Sequence, residues 1–275
     1  MTSAVIIILR EVLEAMLLVC MLMASSAAMG YKLRWLPFAI LAGFSGAFAY
    51  AIFLDEISMA FDGFGQEIVN ASLLITIALL LVMHNFIATK RLMTASFFIH
   101  EMVVGLIMGA VIAIAMTREG AEIYLYVYSY GLVAGQASSV LAGGAIGAGI
   151  GFSFGTFGYY ALRALTPRRC LQVSCIIGLV ASAGSVSQAA RYLTQADLLP
   201  SQATLWDSSG IIPESSLVGE LLHATIGYEA SPTLTQFSLY MAAMLLMIGV
   251  MGFAYYSTRN ASSVRTNTTS STKDS

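Results

Sequence analysis

The sequence predicts an all-α integral membrane protein with seven transmembrane helices, arranged as a 3+3 inverted repeat plus one C-terminal helix. Three observations carry this. Apolar residues make up 58% of the 275 residues and charged ones only 10%, at a mean hydropathy of +0.80. Soluble domains carry about 25% charged residues, so a chain this poor in charge cannot coat a water-facing surface. Apolar stretches of spanning length, about 20 residues, recur along the chain. One costly pattern, R-E-x-x-E, occurs twice, at Arg10-Glu11 with Glu14 and at Arg118-Glu119 with Glu122.

The predicted spans are 3–29, 36–54, 66–88, 101–127, 135–162, 170–195 and 234–257. Repeat one covers about 3–88, repeat two about 97–195, and 234–257 is the added span of a permease-sized unit, 1–257. The fourth span is awkward, because apolar character runs from Phe97 to about Val133. An interfacial lead-in, or a break near Gly105 or Gly109, is expected there. Residues 258–275 are rich in Ser and Thr and read as a disordered cytoplasmic tail.

Orientation follows from the basic residues. Lys32, Arg34, Lys90, Arg91, Arg163, Arg168, Arg169, Arg259, Arg265 and Lys273 all fall on one side if seven spans alternate. The opposite loops, 55–65, 128–134 and 196–233, hold no Lys or Arg. The positive-inside rule then puts the N-terminus outside and the C-terminus inside. The first residues lack a basic n-region, and Arg10, Glu11 and Glu14 interrupt any apolar core, so no secretory signal is read there. The net charge of −2 gives no sign of nucleic-acid binding. Cys20, Cys170 and Cys175 lie in or beside apolar runs and read as reduced packing residues.

Three basic residues remain, Arg10, Arg118 and Arg191, and two of them belong to the repeated motif. An ionised group at the bilayer centre costs roughly 2.5–3.5 kcal/mol, so six such residues must face one another or water. On a helix, Arg10 and Glu14 share a face, as do Arg118 and Glu122. The copies fall in spans one and four, whose surrounding halves run in opposite directions. That arrangement marks an inverted repeat, with a substrate site near the midplane. Facing each other, the motifs offer four carboxylates, Glu11, Glu14, Glu119 and Glu122, to a hard cation. Two structural ion pairs, Arg10–Glu14 and Arg118–Glu122, would be the plain alternative. They leave Glu11 and Glu119 without partners, which is costly in a buried setting.

The doubled motif in the first and fourth spans resembles the oxidase-dependent iron permeases, the Ftr/Efe-type family. "GQEIVNASLLITIALLLVMHN" (65–85) is similar to that family's third span, and "GELLHATIGYEASPT" (219–233) to its segment before the last span. The resemblance implies high-affinity iron import across the cell membrane, cytoplasmic or plasma, by a multi-pass permease. It implies iron as the transported substrate, no permanently bound cofactor, and a ferroxidase or extracytoplasmic iron-binding partner protein. Many members carry a second glutamate where this chain has Asn70, a departure from a full acidic cluster in span three.

Other residues join the candidates. Glu67 and Asn70 at the outer end of span three and His84 at its inner end are entry or pathway residues, or a solvated helix start and structural hydrogen bonds. Glu220 and His223 are three apart on a short outer helix and are potential ligands of the outer loop. His100 and Glu101 are expected at lipid headgroups. Gly143, Gly147, Gly151 and Gly155 form a small-residue row for close helix packing. Met241, Met244, Met247 and Met251 form a stripe that reads as gap-filling, with a copper path as its alternative. The rival functions are a permease for another divalent cation, such as Mn or Pb, and an intramembrane glutamate-dependent hydrolase. The hydrolase has no use for a duplicated motif.

Overall fold

The computed structural model describes residues 2–94, 97, 99–133 and 135–271. Among them, nine α-helices carry the chain: α1 (Thr2–Met29), α2 (Leu36–Ile52), α3 (Leu54–Met59), α4 (Gly65–Met93), α5 (Glu101–Tyr126), α6 (Ala137–Arg163), α7 (Pro167–Gln195), α8 (Leu217–Ile226) and α9 (Leu234–Ser271). Among the described residues there is no β-strand, only an isolated bridge between Thr204 and Thr233. Six of the described helical segments are long and apolar enough to cross a membrane, from α2, α4, α5, α6, α7 and α9. Each of the seven predicted stretches falls largely on one long helix; α1, 28 residues long, is not among the six.

Local chemistry sets the ends. Thr166 caps α7, its hydroxyl accepting from the Arg169 N–H at 3.4 Å, and Pro167 opens the helix where a missing N–H costs nothing. Ser216 caps α8 in the same way through the Gly219 N–H at 3.0 Å. Gly227 ends α8 at φ +67°, a left-handed geometry that glycine adopts without a Cβ penalty.

The fourth span departs from expectation. α5 runs unbroken through Gly105 and Gly109. These glycines serve close packing instead: a Cβ at Gly105 would lie 3.2 Å from the Trp35 side chain, and one at Gly109 would lie 3.6 Å from Ala39. The irregular stretch is at the other end, where Val127–Val133 form a π-helix. The lead-in expected from Phe97 lies partly outside the described residues, as does Lys273. The apolar part of α9 ends at Thr258 and the backbone continues as helix through Ser271, where the sequence suggests a disordered tail.

Packing follows a paired pattern. α1 lies along α6, α5 lies along α2, and α4 lies along α7, while α1 and α5 meet in the middle. The glycine row explains the first contact. A Cβ at Gly147 would stand 2.5 Å from the Val5 carbonyl oxygen, and one at Gly151 2.6 Å from Val12. The core between the helices is apolar, with Met21, Leu22, Leu81, Met108, Val111 and Ile112 fully enclosed. The opposite faces bear large apolar side chains such as Phe38, Phe48 and Phe157, which suits lipid contact. In α9 only Met247 of the methionine stripe is fully buried, its sulfur 3.2 Å from Asn85 Nδ2. That is a packing contact.

Candidate metal centre

α1 and α5 bring both motif copies to one place. Arg10 contacts Glu11 at 2.5 Å and Glu14 at 4.0 Å on its own helix, Glu122 at 3.8 Å on α5, and Glu220 at 3.4 Å on α8. Arg118 contacts Glu119 at 2.5 Å, Glu122 at 3.0 Å, and Glu14 of α1 at 3.2 Å. Two of these bonds, Arg10–Glu122 and Arg118–Glu14, cross between the motifs and tie the helices together.

The i, i+4 rule alone gives part of the pairing. It assigns Arg10 to Glu14 and Arg118 to Glu122, and both pairs form, but it leaves Glu11 and Glu119 without partners. Each arginine also folds back onto the glutamate beside it, because a long guanidinium in an apolar setting reaches every carboxylate around it. The earlier glutamates are nonetheless only half satisfied. Glu11 Oε2 and Glu119 Oε2 are buried with no hydrogen-bond partner among the described residues.

Those free oxygens matter for a cation. Glu11, Glu119 and Glu122 can each present one carboxylate oxygen so that all three lie within 4.8 Å of one another. A hard metal ion holds its oxygens at about 2.1 Å, which spaces neighbouring ligands roughly 3–3.6 Å apart. A small closing of these side chains would form three ligands. Glu14 lies outside this triad, between Arg118 and the His223 ring, whose Nε2 is 3.9 Å away.

α8 covers the site. Glu220 reaches Arg10 and the His223 ring reaches Glu14. The His223 ring also neighbours Gln188 Nε2 at 3.2 Å and the Tyr228 carbonyl at 2.9 Å. A cavity of about 40 Å³ lies between Glu14, Arg118 and Glu119 on one side and Gln188 and His223 on the other. That is room for a water or a bare ion. In the segment after α8, burial pushes the Glu229 carboxyl up, with the Arg191 guanidinium 3.7 Å away pulling it back.

The remaining candidates separate. Glu67 Oε2 and Asn70 Oδ1 are buried near the start of α4, without hydrogen-bond partners among the described residues. Tyr50 on α2, also unpartnered through its hydroxyl, is within electrostatic reach of Glu67 and Glu122. His84 lies apart, enclosed and 3.3 Å from the Ser25 hydroxyl. Three contributors escape sequence reasoning: Tyr50, Gln188, and Tyr192, whose hydroxyl donates to Glu122 at 3.0 Å. The signal for the last two is present, since Gln188 and Tyr192 are polar-tipped groups four apart on one face of a predicted span.

A buried cage of carboxylates and guanidiniums among membrane-length helices suits a cation held away from lipid. The chain belongs to the iron permease FTR1 family, whose model matches residues 1–264. It is therefore an iron-transporting membrane permease and not an enzyme. No curated protein and no solved structure matches it.

Proposed function

We propose that this chain imports iron with high affinity across the cell membrane through one site made jointly by its two R-E-x-x-E motifs. Glu11, Glu119 and Glu122 are its ligands, Glu14 completes the charge around it, and Arg10 and Arg118 hold the carboxylates in place. The observation that carries this is the pair of orphaned oxygens, Glu11 Oε2 and Glu119 Oε2, on two residues of one acidic triad built from two helices. A purely structural ion-pair lock would leave no buried carboxylate oxygen open, because each orphan costs stability.

The site belongs to a seven-span bundle in which α1 is the seventh span, with the N-terminus outside. Exchanging α1, α2 and α4 for α5, α6 and α7 turns the α1–α6 contact into the α5–α2 contact and leaves α4–α7 unchanged. This supports an inverted repeat. Glu67 and Asn70, with Tyr50, form the approach from the outside. His84 lines the inner half, while Glu220 and His223 of α8 close the outer mouth. A ferroxidase or an extracytoplasmic iron-binding protein delivers the ion there.

Radiolabelled iron uptake into proteoliposomes, with Mn²⁺, Pb²⁺, Ca²⁺ and Cu⁺ as competitors, tests this. Iron uptake that survives a large excess of the other metals supports it. Stronger uptake of Mn²⁺ or Pb²⁺ than of iron would reassign the substrate.

A further inference from the structure

We propose that a groove on the basic side of the bundle, between α4, α7 and α9, binds an anionic phospholipid. The groove encloses about 650 Å³ and is separate from the motif site. Arg168 and Arg169 stand at its rim, both exposed, and neither forms an ion pair among the described residues. No acidic residue lines it. Below the rim the walls are apolar, with Val173 and Ile176 from α7 facing Met251 and Tyr255 from α9.

This order of groups matches a phospholipid read from head to tail. Two guanidiniums at one end suit a phosphodiester, which they bind as a planar fork. Basic pockets between transmembrane helices take anionic headgroups in this way. Six residues deeper along α7, about 9 Å at the helical rise, lies Cys175. Beside it is the Thr89 hydroxyl, more than nine-tenths buried, set against the Cys175 thiol and without a hydrogen-bond partner of normal geometry among the described residues. A lipid's ester groups follow its phosphate at such a depth and would give that hydroxyl an acceptor. Beyond it, Ile176 is 62% exposed on the open side of the groove, where an acyl chain would lie. A soluble anion has no use for these apolar walls. A departing cation would be repelled by two uncompensated arginines.

The test uses the purified full-length protein in mild detergent, with bound lipid counted by native mass spectrometry. Phosphatidylglycerol is expected to bind on the order of tenfold tighter than phosphatidylcholine. Arg168→Gln with Arg169→Gln should erase that preference, while Lys32→Gln with Arg34→Gln, on the same side but outside the groove, should keep it. Ile176→Trp fills the groove with both arginines in place and should also lose phosphatidylglycerol, which decides the matter if the arginine variant fails to fold. Excess inorganic phosphate should leave the lipid bound. Equal binding of the two lipids, a preference that survives Ile176→Trp or the folded arginine variant, or displacement by inorganic phosphate would each overturn the proposal.

Discussion

The two copies of R-E-x-x-E share a pattern but not an environment. The Arg118 side chain is 4% exposed and is held by Glu14, Glu119 and Glu122. That of Arg10 is 29% exposed and is spread over four carboxylates, one of them Glu220 of the covering helix. Arg118 is thus an anchor sealed in the protein, and Arg10 is the arginine that reaches the covering helix α8, at the mouth proposed for the site. A duplicated motif need not give two equal halves. Here α8 lies over one copy and breaks the equivalence.

The sharpest way to break this comparison is to remove each arginine in turn. Arg118→Leu strands the buried Glu119 and takes the nearer arginine from Glu14 and Glu122, and losing one partner of such a network costs roughly 3–5 kcal/mol. Yield of the protein in membranes should fall severely. Arg10→Leu should cost less, roughly 1–3 kcal/mol, because water already reaches that side and Arg118 still faces Glu14 and Glu122. Equal losses of yield from the two variants would remove the distinction between anchor and mouth.

The glutamates sharpen the comparison within each copy. Glu11→Gln and Glu119→Gln keep volume and remove a triad ligand, so each should lower iron uptake at least tenfold, about 1.4 kcal/mol, with yield kept. Glu14→Gln, outside the triad, should affect uptake less and stability more. Uptake and membrane yield measured side by side separate the two effects. Uptake by Glu11→Gln and Glu119→Gln close to that of the unmodified protein would return the motif to a structural lock.

A smaller effect is expected from Tyr192→Phe. It removes one hydrogen bond from Glu122, about 1 kcal/mol, while Arg118 still holds that carboxylate, so uptake should fall only several-fold. Changing Cys20, Cys170 and Cys175 together to Ser should alter iron uptake least of all. All three are buried free thiols, and none contributes to the triad. A chain that reaches the membrane and imports no iron after that change would show a thiol in the path.

Much of the fold and the cage is legible in the sequence because both are costly in lipid. Apolar stretches of spanning length mark the long helices. Charges inside them must meet, and that requirement alone gathers Glu11, Glu14, Glu119 and Glu122 into one cluster. The pairing inside the cage is not legible. Helical spacing fixes which side chains share a face, but a guanidinium among five carboxylates is shared across helices, so Arg118 reaches Glu14 and Arg10 reaches Glu122. Glu220 is 210 residues from Arg10, and no local pattern announces that α8 covers the site. Gly105 and Gly109 mislead for a related reason: glycine weakens a helix in isolation, but here it lets α5 approach Trp35 and Ala39.

The central claim is that two motif copies make one cation site. Iron bound by the purified protein, counted at saturation and titrated for affinity, tests it most directly. One iron per chain, with high-affinity binding lost on changing either Glu11 or Glu119 alone to Gln, is the predicted result. Two irons per chain, or one that remains tightly bound when only one copy is altered, would mean that each motif binds alone and would contradict it.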